Sequence, residues 1–277
     1  MHGLGNDYIY FDFVKTNTPP PYSPFSEKHI DKIDWATIAR QCSDRHRGIG
    51  GDGIVLLLHS DNCDFRMRIF NADGSEAEMC GNATRCIGKY VYEHKLTDKT
   101  HIRLETRAGV RTMQLHIEEE RVQSVSVDMG IPRDIETLDA FPFTGLHRQD
   151  FIGVDMGNPH AVLFHNAPID TLAIHHIGET IAHASIFPNG TNVEFLYVLN
   201  RNEIQMRVWE RGSGETMACG TGACASVAAA YHLGMVEQNC VVHLLGGDLY
   251  IQIQDDGHII MSGEANEVFT GKIIVER

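Results

Sequence analysis

Met67-Arg68-Ile69-Phe70-Asn71-Ala72-Asp73-Gly74-Ser75-Glu76-Ala77-Glu78-Met79-Cys80-Gly81-Asn82 and Met206-Arg207-Val208-Trp209-Glu210-Arg211-Gly212-Ser213-Gly214-Glu215-Thr216-Met217-Ala218-Cys219-Gly220-Thr221 are two statements of one pattern. In each, a strand-like alternation enters a Gly/Ser-rich turn and leaves into a helix whose first residues follow a cysteine. The offset is 139 residues, and at that offset Glu76 meets Glu215, Cys80-Gly81 meets Cys219-Gly220, and Tyr92 meets Tyr231. Upstream, Gly5-Asn6-Asp7-Tyr8 echoes Gly157-Asn158-Pro159-His160 at an offset of 152, so one gap of 13 residues separates the two frames. A strand, a turn, a Cys-Gly and a helix recurring in the same order point to an internal duplication.

Working outward, the same order holds in both halves. In the first, a strand is expected near Tyr8–Phe13 and a proline-rich loop over Thr16–Ser26. A helix over Asp34–Cys42 follows, with Asp34 as its N-cap. The apolar run Ile54–Leu58 reads as a buried strand, Phe65–Phe70 as another, Gly81–His94 as a helix, and 102–105, 111–117 and 122–127 as strands. Asp128–Gly130 with Pro132 punctuates the halves. In the second, strands are expected within 155–164, 193–198 and 204–209, an Ala-rich helix at 220–233, and strands at 241–245, 249–254 and 259–262.

Composition bounds the function. A chain of 277 residues with 43% hydrophobic and 22% charged content has enough apolar material for two ordinary domains. No apolar run reaches the roughly 18–20 residues that span a bilayer. The opening Met1–Asp7 has neither a basic nor an apolar leader region, so no secretory signal is expected. With 23 basic against 37 acidic residues, the net charge of −14 repels phosphate backbones and anionic membranes, which argues against nucleic-acid or membrane binding. Seven cysteines without a disulfide-type spacing are expected to be reduced thiols in the cytoplasm.

Cys80 and Cys219 carry the chemistry. Each is expected beside the free N–H groups and positive dipole end of the helix that follows it, a setting that favours thiolate and also cradles a carboxylate. Pseudo-twofold domains would bring the two cysteines to face each other across a cleft. One would remove a proton from a bound carbon while the other returned one from the opposite side, inverting a stereocentre. A coupled pair supplies the opposite protonation states this needs, and the helix N-termini would stabilise charge flowing into the bound carboxylate.

These residues admit other readings. Cys42, Cys63 and Cys240 read as small buried apolar residues. Cys80/Cys86 and Cys219/Cys224 have C-x5-C and C-x4-C spacings that fit a zinc site poorly. A Cys80–Cys219 disulfide would be an inactive oxidised form. Gly50-Gly51-Asp52-Gly53 lacks the Lys-Ser/Thr of a phosphate loop and precedes a strand. Asn6, Asn71 and Asn192 each suit a turn, but Asn6 and Asn158 occupy matching places in the two halves. Among sixteen histidines, His160 stands out by following Gly157-Asn158-Pro159.

These motifs resemble the diaminopimelate epimerase family, cofactor-independent amino-acid epimerases of lysine and cell-wall precursor synthesis. The matching pieces are His2–Tyr8, Arg47–Gly53, Phe70–Glu76, Cys80–Asn82, Met156–His160, Asn192, Glu210–Thr216 and Ala218–Gly222, in family order along nearly the whole chain. The related proline racemases and hydroxyproline epimerases have His after the first Cys-Gly, where this chain has Asn82, and the phenazine-pathway isomerases of the same fold lack the cysteine pair. The resemblance implies an α/β fold of two pseudo-symmetric domains, each a curled, mostly antiparallel sheet around a central helix. The domains are expected at 1–121, with a C-terminal strand over 264–277 returning to it, and at 122–263. It also implies conversion of LL-2,6-diaminopimelate to the meso isomer without pyridoxal phosphate or metal.

Carried over by position, Cys80 and Cys219 are the base/acid pair, and His160 and Glu210 their activating neighbours, with Glu210 also able to take the α-ammonium. The N–H groups of Gly81, Asn82, Gly220 and Thr221 hold the reacting carboxylate. Asn71, Asn158, Asn192 and Arg211 read the distal end, and Asn6 lines the pocket. Some members have Gln where this chain has Gly53, which would remove one distal contact here. A homodimer is a further family expectation. The alternatives are a racemase of another amino acid such as a proline derivative, a metal-binding thiol module, and a pyridoxal-phosphate enzyme.

Overall fold

Met1–Val127, joined by the segment from Glu264 onward, forms one unit of the computed structural model, and Asp128–Gly263 forms the other. The structure describes residues 1–14, 27–138 and 151–273, so the expected loop over Thr16–Ser26 lies outside the described residues.

The first unit starts with a tight hairpin. Strand β1 (His2–Gly3) turns into β2 (Asn6–Asp12) through Leu4 and Gly5, at φ 55° and 82°. Positive φ at both central residues is what a two-residue hairpin turn requires. Helix α1 (Trp35–Ser43) begins as expected at Asp34, whose Oδ1 accepts the Thr37 N–H at 3.1 Å. Replacing Asp34 by Ala is expected to destabilise the first unit by leaving the Thr37 N–H without its cap. The check is a lower urea midpoint with an unchanged slope.

Strands β3 (Gly53–Leu58), β4 (Phe65–Asn71) and β5 (Glu76–Ala77) lead to helix α2 (Gly81–Glu93). After it come β6 (His101–Thr106), β7 (Gly109–Glu118) and β8 (Arg121–Asp128). The run in β3 lacks alternation because both faces are buried. Ile54, Leu56 and Leu58 pack on Trp35, Ile38, Ala39 and Cys42 of α1, while Val55 and Leu57 point the other way and are equally enclosed. Gly88 lets α2 approach the sheet, since a Cβ there would lie 3.0 Å from Leu115 and 3.2 Å from Val125.

The second unit contains β9 (Arg133–Thr137), β10 (Phe151–Asp155), β11 (Pro159–His165), α3 (Ile174–Ala182), β12 (Asn192–Asn200), β13 (Glu203–Glu210) and β14 (Gly214–Glu215). Helix α4 (Gly220–His232), β15 (Asn239–Leu244), β16 (Gly247–Ile253) and β17 (Ile259–Gly263) complete it. Its pairing scheme repeats that of the first unit. β2–β3 and β4–β6 are parallel, as are β11–β12 and β13–β15, while β3–β4, β6–β7 and β7–β8 are antiparallel, as are β12–β13, β15–β16 and β16–β17. The registers coincide as well. Tyr8 lies opposite Gly53 and His160 opposite Asn192, the same two positions at offsets of 152 and 139. Both central helices have 13 residues.

The repeated Arg and Glu of the two motifs are ion pairs. Arg68 Nε lies 2.8 Å from Glu76, and Arg207 Nη2 lies 2.7 Å from Glu215. Each pair spans its hairpin, β4–β5 or β13–β14, and so braces the turn that delivers the cysteine.

Three sequence readings differ from the structure. Helix α3 was not anticipated: its N-cap is Ala173, with no capping side chain, so no start signal exists, and Ile174, Ile181 and Ala182 form it by packing against Val193 and Phe195. The division falls after Val127 rather than after Arg121, because β8 pairs with β7 through a turn at Glu119 and Glu120, both at positive φ. The expected strand over 264–277 is a single bridge, with Asn266 and His2 exchanging N–H···O bonds of 2.8 and 2.9 Å; residues 274–277 lie outside the described residues.

Candidate active site

Each unit presents one cysteine as the N-cap of its central helix in extended backbone, Cys80 at φ −139° and Cys219 at φ −124°. Extended backbone at the N-cap swings the side chain across the first helical turn, where the N–H groups have no partner within the helix. Gly81, Asn82, Gly220 and Thr221 open the two helices and supply those N–H groups.

In the first unit Cys80 Sγ lies 3.6 Å from Asn6 Oδ1, which also accepts from Asn82 Nδ2 at 3.0 Å. Asn6 Nδ2 donates to Asp52 at 2.7 Å, and Arg45 bridges Asp7 and Asp52 at 2.7 and 3.0 Å. Burial and then the neighbouring Asp7 push the Asp52 carboxyl up; Asp7 is itself pushed up by burial, but the hydrogen-bonded Arg45 guanidinium brings it below the usual range. On the other side Arg85, fully buried, donates to Asn82 Oδ1 at 2.9 Å and to the Glu264 carbonyl at 3.2 Å. Asn6 and Asn82 are thus held by charged groups behind the thiol. Asn71 ends β4 with its amide donating to Ser75 Oγ at 3.0 Å.

In the second unit the surroundings of Cys219 are acidic. His160, 1% exposed, has Nδ1 2.7 Å from Glu194 Oε1 and Nε2 3.1 Å from Asn158 Oδ1. Asn158 Nδ2 reaches Thr221 Oγ1 at 3.4 Å, and that hydroxyl lies 3.5 Å from Cys219 Sγ. Glu210 accepts from Thr216 Oγ1 at 2.6 Å. Asn192 Oδ1 accepts the Arg211 N–H at 3.0 Å, and the exposed Arg211 guanidinium donates to the Asn189 carbonyl at 3.0 Å.

The helix N-terminus was expected to favour thiolate, but the Cys219 thiol is pushed well up: burial is the largest cause, with Glu210 and Glu194 adding to it. The Thr221 hydroxyl and the Gly222 N–H only partly oppose them. Cys219 therefore rests as a thiol, the form a proton donor needs. Gly53 is a packing position. A Cβ there would meet the Phe70 carbonyl oxygen at 2.1 Å and Tyr8 Cε1 at 2.8 Å, so the strand pair leaves no room for a side chain.

Sequence reasoning missed Arg45, Asp52, Arg85 and Glu194. Glu194 carried a usable signal: at the 139-residue offset its counterpart is Val55, so a charge interrupts an apolar run in one half alone. Arg85 gave none, because a helix leaves a buried and a solvated arginine looking alike. Among the described residues no group of three or more His, Cys, Asp or Glu side chains is placed to hold a metal ion, and no helix is long and apolar enough to cross a membrane.

Solved structures share this fold. A probable proline racemase from Agrobacterium radiobacter K84 superposes with a TM-score of 0.69 at 16% identity, over 95% of this chain and 84% of that one. A hydroxyproline epimerase from Agrobacterium vitis gives 0.63 at 17% identity, over 84% and 80%. Two like units, each offering a helix-capping cysteine, thus have the fold of these racemase and epimerase structures.

The sequence narrows this further. The pattern of the diaminopimelate epimerase family matches residues 1–135 and 152–268, and the chain belongs to that family. Diaminopimelate epimerases from Agathobacter rectalis and Methanococcus maripaludis are each 45% identical, over 99% of this chain and 97% and 98% of theirs. That from Bacteroides thetaiotaomicron is 44% identical, over 99% and 96%.

Proposed function

We propose that the chain interconverts LL-2,6-diaminopimelate and its meso isomer in lysine and peptidoglycan precursor synthesis, with Cys80 and Cys219 as the two proton-transfer groups. One cysteine, as thiolate, takes the α-proton and becomes a thiol. The other, as thiol, gives its proton to the opposite face of the α-carbon and becomes thiolate. The negative charge between these steps flows into the α-carboxylate, where the N–H groups of Gly81, Asn82, Gly220 and Thr221 and both helix dipoles stabilise it. Glu210 takes the α-ammonium, and His160 assists proton movement. Asn71, Asn158, Asn192 and Arg211 read the distal amino-acid end, where the Arg211 guanidinium suits a carboxylate. Asn6 orients Cys80. Both proton transfers are covered by protein thiols, so the scheme uses neither pyridoxal phosphate nor metal. The observation that carries it is the repeated helix-capping cysteine in a chain of this family. The enzyme acts in the cytoplasm on a small-molecule substrate, without nucleic acid or membrane, as a homodimer.

The test is incubation of reduced protein with LL-diaminopimelate in D2O, followed by proton NMR. Loss of the α-proton signal with appearance of the meso isomer is expected. Folded, reduced protein that exchanges nothing on this substrate but inverts a proline derivative would replace the substrate.

The pH dependence follows from the shared proton. Activity requires one proton on the pair, so kcat/KM is expected to be bell-shaped and to have the same shape in both directions. Because the Cys219 thiol is pushed up, the alkaline limb should lie above the ordinary thiol value. Profiles of different shape in the two directions would exclude a pair sharing one proton.

A further inference from the structure

Strand β12 carries Asn192 and Glu194 on one face, since alternate residues share a face, while Val193 and Phe195 pack on the other against α3. Glu194 is 0% exposed. Its Oε1 meets His160 Nδ1 at 2.7 Å, and its Oε2 has no hydrogen-bond partner among the described residues. The carboxyl rests on the first turn of α4, where a Cβ on Gly222 would lie 2.6 Å from Oε1. The N-terminal end of a helix is the favourable end for a negative charge.

The repeat shows that the fold does not require this pair. At the two offsets, His160 corresponds to Tyr8 and Glu194 to Val55, and Val55 is likewise 0% exposed. One unit fills these positions with an aromatic ring and an isopropyl group. The other buries a carboxyl and an imidazole there, at a desolvation cost that apolar residues avoid. Glu210 and Cys219 are titratable groups of the same neighbourhood, since Glu210 and Glu194 both act on the Cys219 thiol.

An ionised carboxylate only accepts hydrogen bonds, so its imidazole neighbour must donate. We infer that Glu194 is a positioning residue for the reaction: it holds the proton on His160 Nδ1, so that the proton the ring gains and loses is the one on Nε2, which when present donates to Asn158 Oδ1. The inference rests on the reading that His160 takes part in proton transfer.

The experiment compares Glu194→Gln, Glu194→Asp and His160→Gln with the unaltered enzyme, by kcat, KM, pH profile and imidazole 15N NMR. The His160 signals are assigned by their loss in His160→Gln. Glu194→Gln is expected to lower kcat about 10²-fold with little change in KM and to shift the pH profile. Glu194→Asp should recover part of the rate. In the unaltered enzyme the 15N shifts should show Nδ1 protonated, a readout that does not depend on any variant folding. A bare Nδ1 there, or a folded Glu194→Gln with full kcat and an unmoved pH profile while His160→Gln is slow, overturns the inference alone. Full activity in His160→Gln overturns the underlying reading as well.

Discussion

Cys80→Ala and Cys219→Ala are each expected to lose about 10³-fold in kcat, while Cys42→Ala keeps the normal rate. The contrast isolates the chemistry from the mere loss of a thiol. Cys42 is 4% exposed within the apolar cluster of α1, whereas Cys80 and Cys219 cap the two central helices. A two-base mechanism predicts something sharper than inactivity. A variant left with one thiol can still remove and return a proton on the face that thiol addresses. In D2O each single variant should therefore exchange the α-proton of one isomer without inverting it, and the two variants should act on opposite isomers. Exchange of both isomers by either variant would mean that one group serves both faces, and the two-thiol scheme would fall.

Gly53→Gln is expected to destabilise the first unit rather than to add a substrate contact. Its Cβ would lie 2.1 Å from the Phe70 carbonyl oxygen and 3.0 Å from Asn71 Cα, and both belong to the neighbouring strand. Backbone cannot give way as a side-chain tip can, because Gly53 sits opposite Asn71 in the β3–β4 register. Overpacking of this kind costs about 1–3 kcal/mol, with the upper end expected where backbone is the obstacle. Thermal unfolding should show an apparent Tm several degrees lower. A Gly53→Gln protein that unfolds at the normal temperature and binds substrate more tightly would show that the strand pair opens. The glycine would then be a lost contact, not a packing requirement.

Much of the fold was legible because its signals are local. Asp34 marks a helix start through a bond three residues away, and Ile54–Leu58 marks a doubly buried strand by lacking alternation. Helix α3 was not legible, since Ala173 offers no cap and the apolar face is fixed by strands that follow it in sequence. The site divides in the same way. Cys80 and Cys219 announce themselves by repetition, and His160 and Asn158 by their match to Tyr8 and Asn6. The groups behind them are set by contacts over long separations: Asp52 reaches Asn6 across 46 residues, and Glu194 reaches His160 across 34.

What the sequence by itself determined is therefore the repeat, the order of strands and helices, and the two cysteines at the heads of the central helices. Periodicity, turn chemistry and duplication are properties of neighbouring residues and survive without coordinates. What only the tertiary structure decided is the state of those groups. Whether the Cys219 thiol is driven down by the helix or up by burial depends on how much solvent is removed and on which carboxylates are brought near. Here the chain packs Glu194 and Glu210 beside it, and desolvation outweighs the helix terminus, because a charge loses more on leaving water than a few N–H groups return.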